Sequence, residues 1–220
     1  MSERDALGRT TKIRSHGDGE APSIVLRTTD ALRSPSHVRW DAKRSSMSGA
    51  FGTALRALDR VAASDPVIDS LLDTVVRLVA RALTVTFCKV LELRPHGASF
   101  LVRAGVGWGP SVVGRTLLSA ETATLARLTL CSKRAVIVQD IQHTKIFDRA
   151  SVLHGRGLTS GMSIVIPGAP NPFGVLSVHT IEQRRFTGPE ANFLSSVSVQ
   201  LGAAIAHATT SALSRSAGHP

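Results

Sequence analysis

Ser160-Gly161-Met162-Ser163-Ile164-Val165-Ile166-Pro167-Gly168-Ala169-Pro170-Asn171-Pro172-Phe173-Gly174-Val175-Leu176-Ser177-Val178-His179-Thr180 holds two β-branched apolar runs parted by a cluster of Gly, Pro and Asn. Both runs are too short for core helices, and the residues between them favour a tight reversal, so the stretch predicts an antiparallel hairpin with strands over 160–167 and 173–180. Side chains alternate along a strand, which puts Val175, Ser177 and His179 on one face of the second strand and Met162, Ile164 and Ile166 on one face of the first. Either set is a candidate lining for a cavity.

Working outward, Thr84 to Leu93 is β-branched and partly alternating, Arg94-Pro95-His96-Gly97 is a turn, and Ala98 to Arg103 is extended again, which predicts a second hairpin. Ala135 to Gln139 reads as a further strand. Helical spacing appears at Leu55, Leu58, Val61 and Ala62, and again at Leu71, Leu72, Val75, Val76, Val79 and Leu83, where Asp69, Asp73, Arg77 and Arg81 take the other face. These predict helices over 51–64 and 66–83, the second opened by Asp65 as N-cap and Pro66 at the first helical position. Gly105, Gly107, Gly109, Pro110 and Gly114 interrupt regular structure before a helix expected over 119–132. A last helix is expected over 188–207, with Phe193, Leu194, Val197, Leu201 and Ile205 as its stripe.

This order of elements predicts an α/β (α+β) fold with a central antiparallel sheet of about five to six strands flanked by helices on both sides. The domain is expected over 49–208, including its N-terminal helix. Residues 1–48 are rich in Ser, Arg, Asp and Gly and hold one short apolar patch, Ile24-Val25-Leu26, so a flexible basic arm is expected there, with a flexible tail over 209–220. Residues 140–158 form an irregular crossover.

The composition, 43% hydrophobic and 19% charged, is that of a globular chain. A formal charge of +10 invites a nucleic-acid partner, but it is spread as +4 over residues 1–60 and +6 over the remainder, with no dense basic stripe, so nucleic-acid binding is not the leading expectation. Cys88 and Cys131 form neither a disulfide framework nor a CxxC pair. Reduced thiols, no secretory leader, no membrane span and a cytoplasmic location are expected.

Several stretches together resemble the GAF domain, especially the GAF modules of bacterial PAS/GAF sensor histidine kinases. They are Phe87-Cys88-Lys89-Val90-Leu91-Glu92-Leu93, Arg103-Ala104-Gly105-Val106-Gly107-Trp108, Val136-Ile137-Val138-Gln139-Asp140, Ser160 to Gly168, and Pro172 to Thr180 ahead of Phe186-Thr187. The resemblance implies a non-catalytic sensory or regulatory module with a pocket between one sheet face and the crossover. It also implies dimerisation through terminal helices. With no kinase region in view, the signal is expected to pass to a partner, such as a histidine kinase, or through a homodimer. The Asn-Lys-Phe-Asp-Glu pattern of cyclic-nucleotide-binding relatives survives only as Phe186 and Glu190, and the Cys-His pair of bilin-attaching relatives is absent.

The residues proposed to contact a small-molecule ligand are Trp108, Asp140, His154, Met162, Ile164, Ser177 and His179; the ligand itself stays unidentified. Arg103, Arg149 and Arg156 are further candidates for pairing with an anion. Asp140 and His143 offer a carboxylate and an imidazole, which is too few ligands for a metal, so a turn-capping Asp beside an exposed His is expected. Cys88 reads as a buried small hydrophobe, and Lys133 and Arg134 lie near Cys131. No hydrolase, zinc-peptidase, P-loop or dinucleotide motif occurs, so no catalytic residue is assigned. Two other classes stay open: a redox enzyme resembling the GAF-type free methionine sulfoxide reductases, and a nucleic-acid-associated regulator using the basic arm.

Overall fold

The structure, a computed structural model, describes residues 3–4, 10–11, 24–26, 40–97, 99–119, 123–132, 134–144 and 156–217. The elements in chain order are β1 (Glu3–Arg4), β2 (Thr10–Thr11), β3 (Ile24–Leu26), α1 (Trp40–Ala63), α2 (Ile68–Leu83), β4 (Phe87–Leu93), β5 (Ser99–Val106), β6 (Leu117–Ser119), α3 (Thr124–Cys131), β7 (Val136–Val138), β8 (Ser160–Ile166), β9 (Gly174–Thr180) and α4 (Gly188–Ala217). Six strands form an antiparallel sheet in the order β7-β8-β9-β4-β5-β6, and β3 extends it by pairing in parallel with β7.

The two hairpins read from the sequence, β4–β5 and β8–β9, are joined side by side through β4 and β9 at the centre of the sheet. That junction depends on Gly174. A Cβ there would stand 1.8 Å from the carbonyl oxygen of Leu91, so only a residue without a side chain lets the two backbones approach.

One face of the sheet packs against α2 and α4, with α1 laid over both of these helices. Leu71, Leu72, Val75, Val76 and Val79 of α2 and Leu194, Val197, Leu201 and Ile205 of α4 meet Cys88, Val90, Ala104, Met162, Ile164, Ile166, Leu176 and Val178 in one apolar core. Phe51 of α1 stacks on Phe193 of α4 with ring centroids 4.3 Å apart, which seals the outer layer. The opposite face carries α3, tied down by the buried Thr129 Oγ1···Ser163 Oγ hydrogen bond of 2.6 Å. Helices on both sides of the sheet are therefore present.

Several boundaries differ from those read in the sequence. Strand β3 and the first turns of α1 lie inside the stretch expected to be an arm, and α4 continues past His207 to Ala217. The helix expected from Ser119 begins at Thr124, because Leu117–Ser119 is spent as edge strand β6 against β5. Helix α2 is not capped by Asp65: its N-cap is Val67, and Asp65 adopts a left-handed backbone (φ 50°) at the turn while its carboxylate pairs with Arg215. Helix α4 starts on a reciprocal cap, in which Glu190 Oε2 accepts from the Thr187 backbone N–H at 2.7 Å while the Thr187 hydroxyl faces the Glu190 N–H at 3.4 Å. Among the described residues no helix is long and apolar enough to cross a membrane.

Candidate functional site

The face of the sheet opposite the three-helix layer gathers the polar side chains that the core cannot use. Register decides which residues these are. Lys89 of β4 stands opposite Ser177 of β9, and Phe87 stands opposite His179. On the other side of β9, Gly161 faces His179 and Ser163 faces Ser177. Period-two alternation therefore puts Phe87, Lys89, Gly161, Ser163, Ser177 and His179 on one surface.

Trp108 folds over this surface from the turn after β5. It is 1% exposed, and its indole N–H donates to the Cys88 carbonyl at 3.1 Å. Lys89 Nζ lies 3.9 Å from the Trp108 ring centroid, a cation–π contact, and the Trp108 and His179 rings meet edge to face at 5.8 Å. Two glycines make this stacking possible: a Cβ on Gly105 would stand 2.8 Å from Trp108 Cδ1, and one on Gly161 would stand 2.8 Å from His179 Cδ2. From the rim, exposed Arg156 donates to the Trp108 carbonyl at 2.8 Å and holds its guanidinium carbon 5.3 Å from the same ring.

The electrostatics centre on one buried ammonium, Lys89, with the exposed Arg156 guanidinium beside it. Burial, aided by the nearby Arg156 charge, pulls the Lys89 ammonium down to about 7. Burial and then the Lys89 charge hold the His179 imidazole well below its usual value, so it is neutral at physiological pH. No carboxylate pairs with Lys89 or Arg156 among the described residues. Both ring nitrogens of His179 and the Ser177 hydroxyl are buried and find no hydrogen-bond partner there. Such atoms are rare in folded chains and each costs about 1–3 kcal/mol when left unpaired.

Of the residues singled out in the sequence, the structure brings Trp108, Ser177 and His179 together. Met162 and Ile164 require correction. They pair across from Val178 and Leu176 and point into the core beneath α2 and α4, because a strand that offers Ser163 to one surface must turn its neighbours to the other. Asp140 sits on the turn after β7, where its carboxylate accepts from the backbone N–H and the ring nitrogen of His143; that histidine's side chain is 80% exposed, so the pair caps the turn as expected. His154 and Arg149 lie outside the described residues. Arg103 is committed to Asp69 and Glu92.

Lys89 is the residue that sequence reasoning missed. Period-two alternation sets it on the face opposite the neighbouring Cys88, but a lysine in a strand is ordinarily read as solvated. The cysteines do not meet: Cys88 belongs to the helical side of the sheet, whereas Cys131 is exposed at the end of α3 on the other. Burial raises the Cys88 thiol far above the range in which a thiolate forms.

No curated protein matches the chain. Among solved structures it is similar to the GAF domain from an Acinetobacter phosphoenolpyruvate-protein phosphotransferase, at 23% identity and a TM-score of 0.63, covering 74% of this chain and 96% of that one. It is similar to the phycoerythrobilin-bound GAF domain from a cyanobacterial phytochrome, at 20% identity and a TM-score of 0.61, over 73% of this chain and 97% of that one. It also resembles a free methionine-R-sulfoxide reductase from Neisseria meningitidis, at 13% identity and a TM-score of 0.61, over 82% of this chain and 98% of that one. Identities this low carry the fold alone. The GAF domain family model matches residues 67–205, from the start of α2 into α4, and this chain belongs to the GAF domain family.

Proposed function

We propose that this chain is a non-catalytic sensory or regulatory GAF protein that takes a small molecule against the Lys89, Ser177 and His179 surface and relays its presence to a partner. The observation that carries this reading is the set of buried polar atoms without partners, the Ser177 hydroxyl and both His179 nitrogens. A surface kept only for stability would be apolar, as the opposite face of the same strands is. A domain of the same fold holding phycoerythrobilin supports ligand carriage by this architecture, although here no Cys-His pair is present to attach one. The separation of Cys88 from Cys131 and the protonated state of Cys88 argue against a thiol-based reductase. Two free thiols fit a reducing, cytoplasmic setting.

Relay to a second copy of the chain or to a histidine kinase is the accompanying proposal. Leu194, Val197, Leu201 and Ile205 are consumed by the domain's own core, so a helical contact would use the outward face of α4, where Val199 and Leu213 are 61% and 67% exposed. The test of ligand carriage is native mass spectrometry of freshly purified full-length protein. A bound small molecule that disappears in Ser177→Ala/His179→Leu is the expected result. A guest retained unchanged by that variant would contradict the site.

A further inference from the structure

The ligand class can be narrowed by asking what this surface lacks; the inference rests on the site just proposed. Lys89, Arg156 and His179 surround Trp108 from β4, from the end of the crossover and from β9. The described carboxylates that form ion pairs are engaged elsewhere, Glu92 and Asp69 with Arg103, Asp140 with His143, Glu190 with Arg184 and Asp65 with Arg215. Among the described residues none supplies a carboxylate to Lys89 or Arg156, and a negative charge from a guest would complement them. Thr129 of α3 is uncharged and already bonded to Ser163, so it supplies none.

His179 adds a second requirement. A neutral imidazole has one N–H and one lone pair, and here both are unpartnered, so a complete complement presents an acceptor and a donor together. The donor must itself be neutral. An ammonium group placed beside Lys89 or Arg156 would be repelled by their like charge, whereas a hydroxyl carries none. Phe87 and Trp108 contribute an apolar wall suited to a short carbon skeleton.

We propose that the Trp108 surface binds a small hydroxycarboxylate, its carboxylate between Lys89 and Arg156 and its hydroxyl on His179, with Ser177 as an additional hydrogen-bonding partner. Binding this anion keeps Lys89 protonated, so at a pH above its free value the complex takes up a proton from solvent. Among the described residues, His179 and Arg156 are the ionisable groups facing Lys89. His179, held well below its usual value, takes no proton in that range, so the uptake is assigned to Lys89.

The test is isothermal titration of the full chain, after unfolding, dialysis and refolding to strip any guest. The probes are glycolate, L-lactate and 2-hydroxyisovalerate, with acetate, L-alanine and lactamide as comparisons. The expected result is that at least one hydroxy acid binds tenfold or more tighter than acetate, alanine and lactamide. Its affinity should fall about tenfold per pH unit above pH 7, with proton uptake seen as a buffer-dependent heat. Lys89→Met should abolish both the uptake and the preference for acid over amide, and Lys89→Gln serves if the first variant does not refold. Equal binding of lactamide, tighter binding of alanine, or binding by no hydroxy acid overturns the proposal. In those cases a neutral or cationic guest that co-purifies and needs His179 would leave the sensory reading standing, whereas no guest of any class would remove both.

Discussion

At the scale of single residues, Lys89 sets the behaviour of the site. The unfolded chain holds its proton up to about the ordinary value of 10.5, whereas the fold holds it only up to about 7. Between those limits the unfolded state binds more protons, so stability rises with pH across the window; below it the full cost of burying the charge is paid. His179 acts in the same direction at lower pH, where its depressed value makes stability fall as pH drops through 6.5. Urea midpoints measured from pH 6 to pH 10 should climb in the wild type and flatten over the upper part of that range in Lys89→Met; parallel curves would refute the assignment. Glycine substitutions give a second check at this scale. Gly174→Ala drives a methyl group into the Leu91 backbone and should cost about 1–3 kcal/mol or more. Gly49→Ala, on an exposed helical turn with nothing within 4 Å, should gain about 0.5–1 kcal/mol. Chemical denaturation of the two variants reads both signs.

At the scale of elements, the start of α4 is the cap on which the helical layer hangs. Thr187 and Glu190 satisfy each other's backbone, and Glu190, 2% exposed, also pairs with Arg184. Thr187→Ala should cost about 0.5–2 kcal/mol, and Glu190→Ala more, because it leaves Arg184 without its carboxylate. Thermal unfolding orders the two. Helices and strands with strong period were legible in the sequence: the α2 and α4 stripes and both hairpins stand where alternation and spacing put them. The misplaced elements are those whose structure comes from neighbours. Leu117–Ser119 carries little strand signal by itself and becomes β6 because β5 offers it an edge, and Ile24–Leu26 joins the sheet only beside β7. Asp65-Pro66 has the form of a helix start, yet α1 and α2 require a sharp reversal there, and Asp65 serves that turn.

At the scale of the whole molecule, one side of the sheet is apolar throughout beneath α1, α2 and α4, while the α3 side mixes apolar clusters with the buried Lys89, Ser177 and His179. Alternation gave the faces of β8 and β9 separately, but no single strand shows which face the helices will take; that is why Met162 and Ile164 were grouped with His179. Charge added to the difficulty, since a lysine and an arginine meeting under one tryptophan come from segments far apart in sequence. The outward side of α4 belongs to the same scale. Light scattering of the wild type should show a dimer that Val199→Ser/Leu213→Ser converts to monomer, and a wild-type monomer at high concentration would remove self-association from the account.

The central claim is that the fold bears a stability cost to keep Ser177 and His179 unpartnered for a guest. It is tested most directly by the unfolding free energy of guest-free Ser177→Ala/His179→Leu compared with guest-free wild type. Replacing unpaired buried polar atoms with apolar ones should make the variant at least as stable as the wild type, by up to about 1–3 kcal/mol, while ligand-dependent stabilisation disappears. A variant less stable than the wild type by a similar amount would mean that these side chains serve the fold, and would contradict the account.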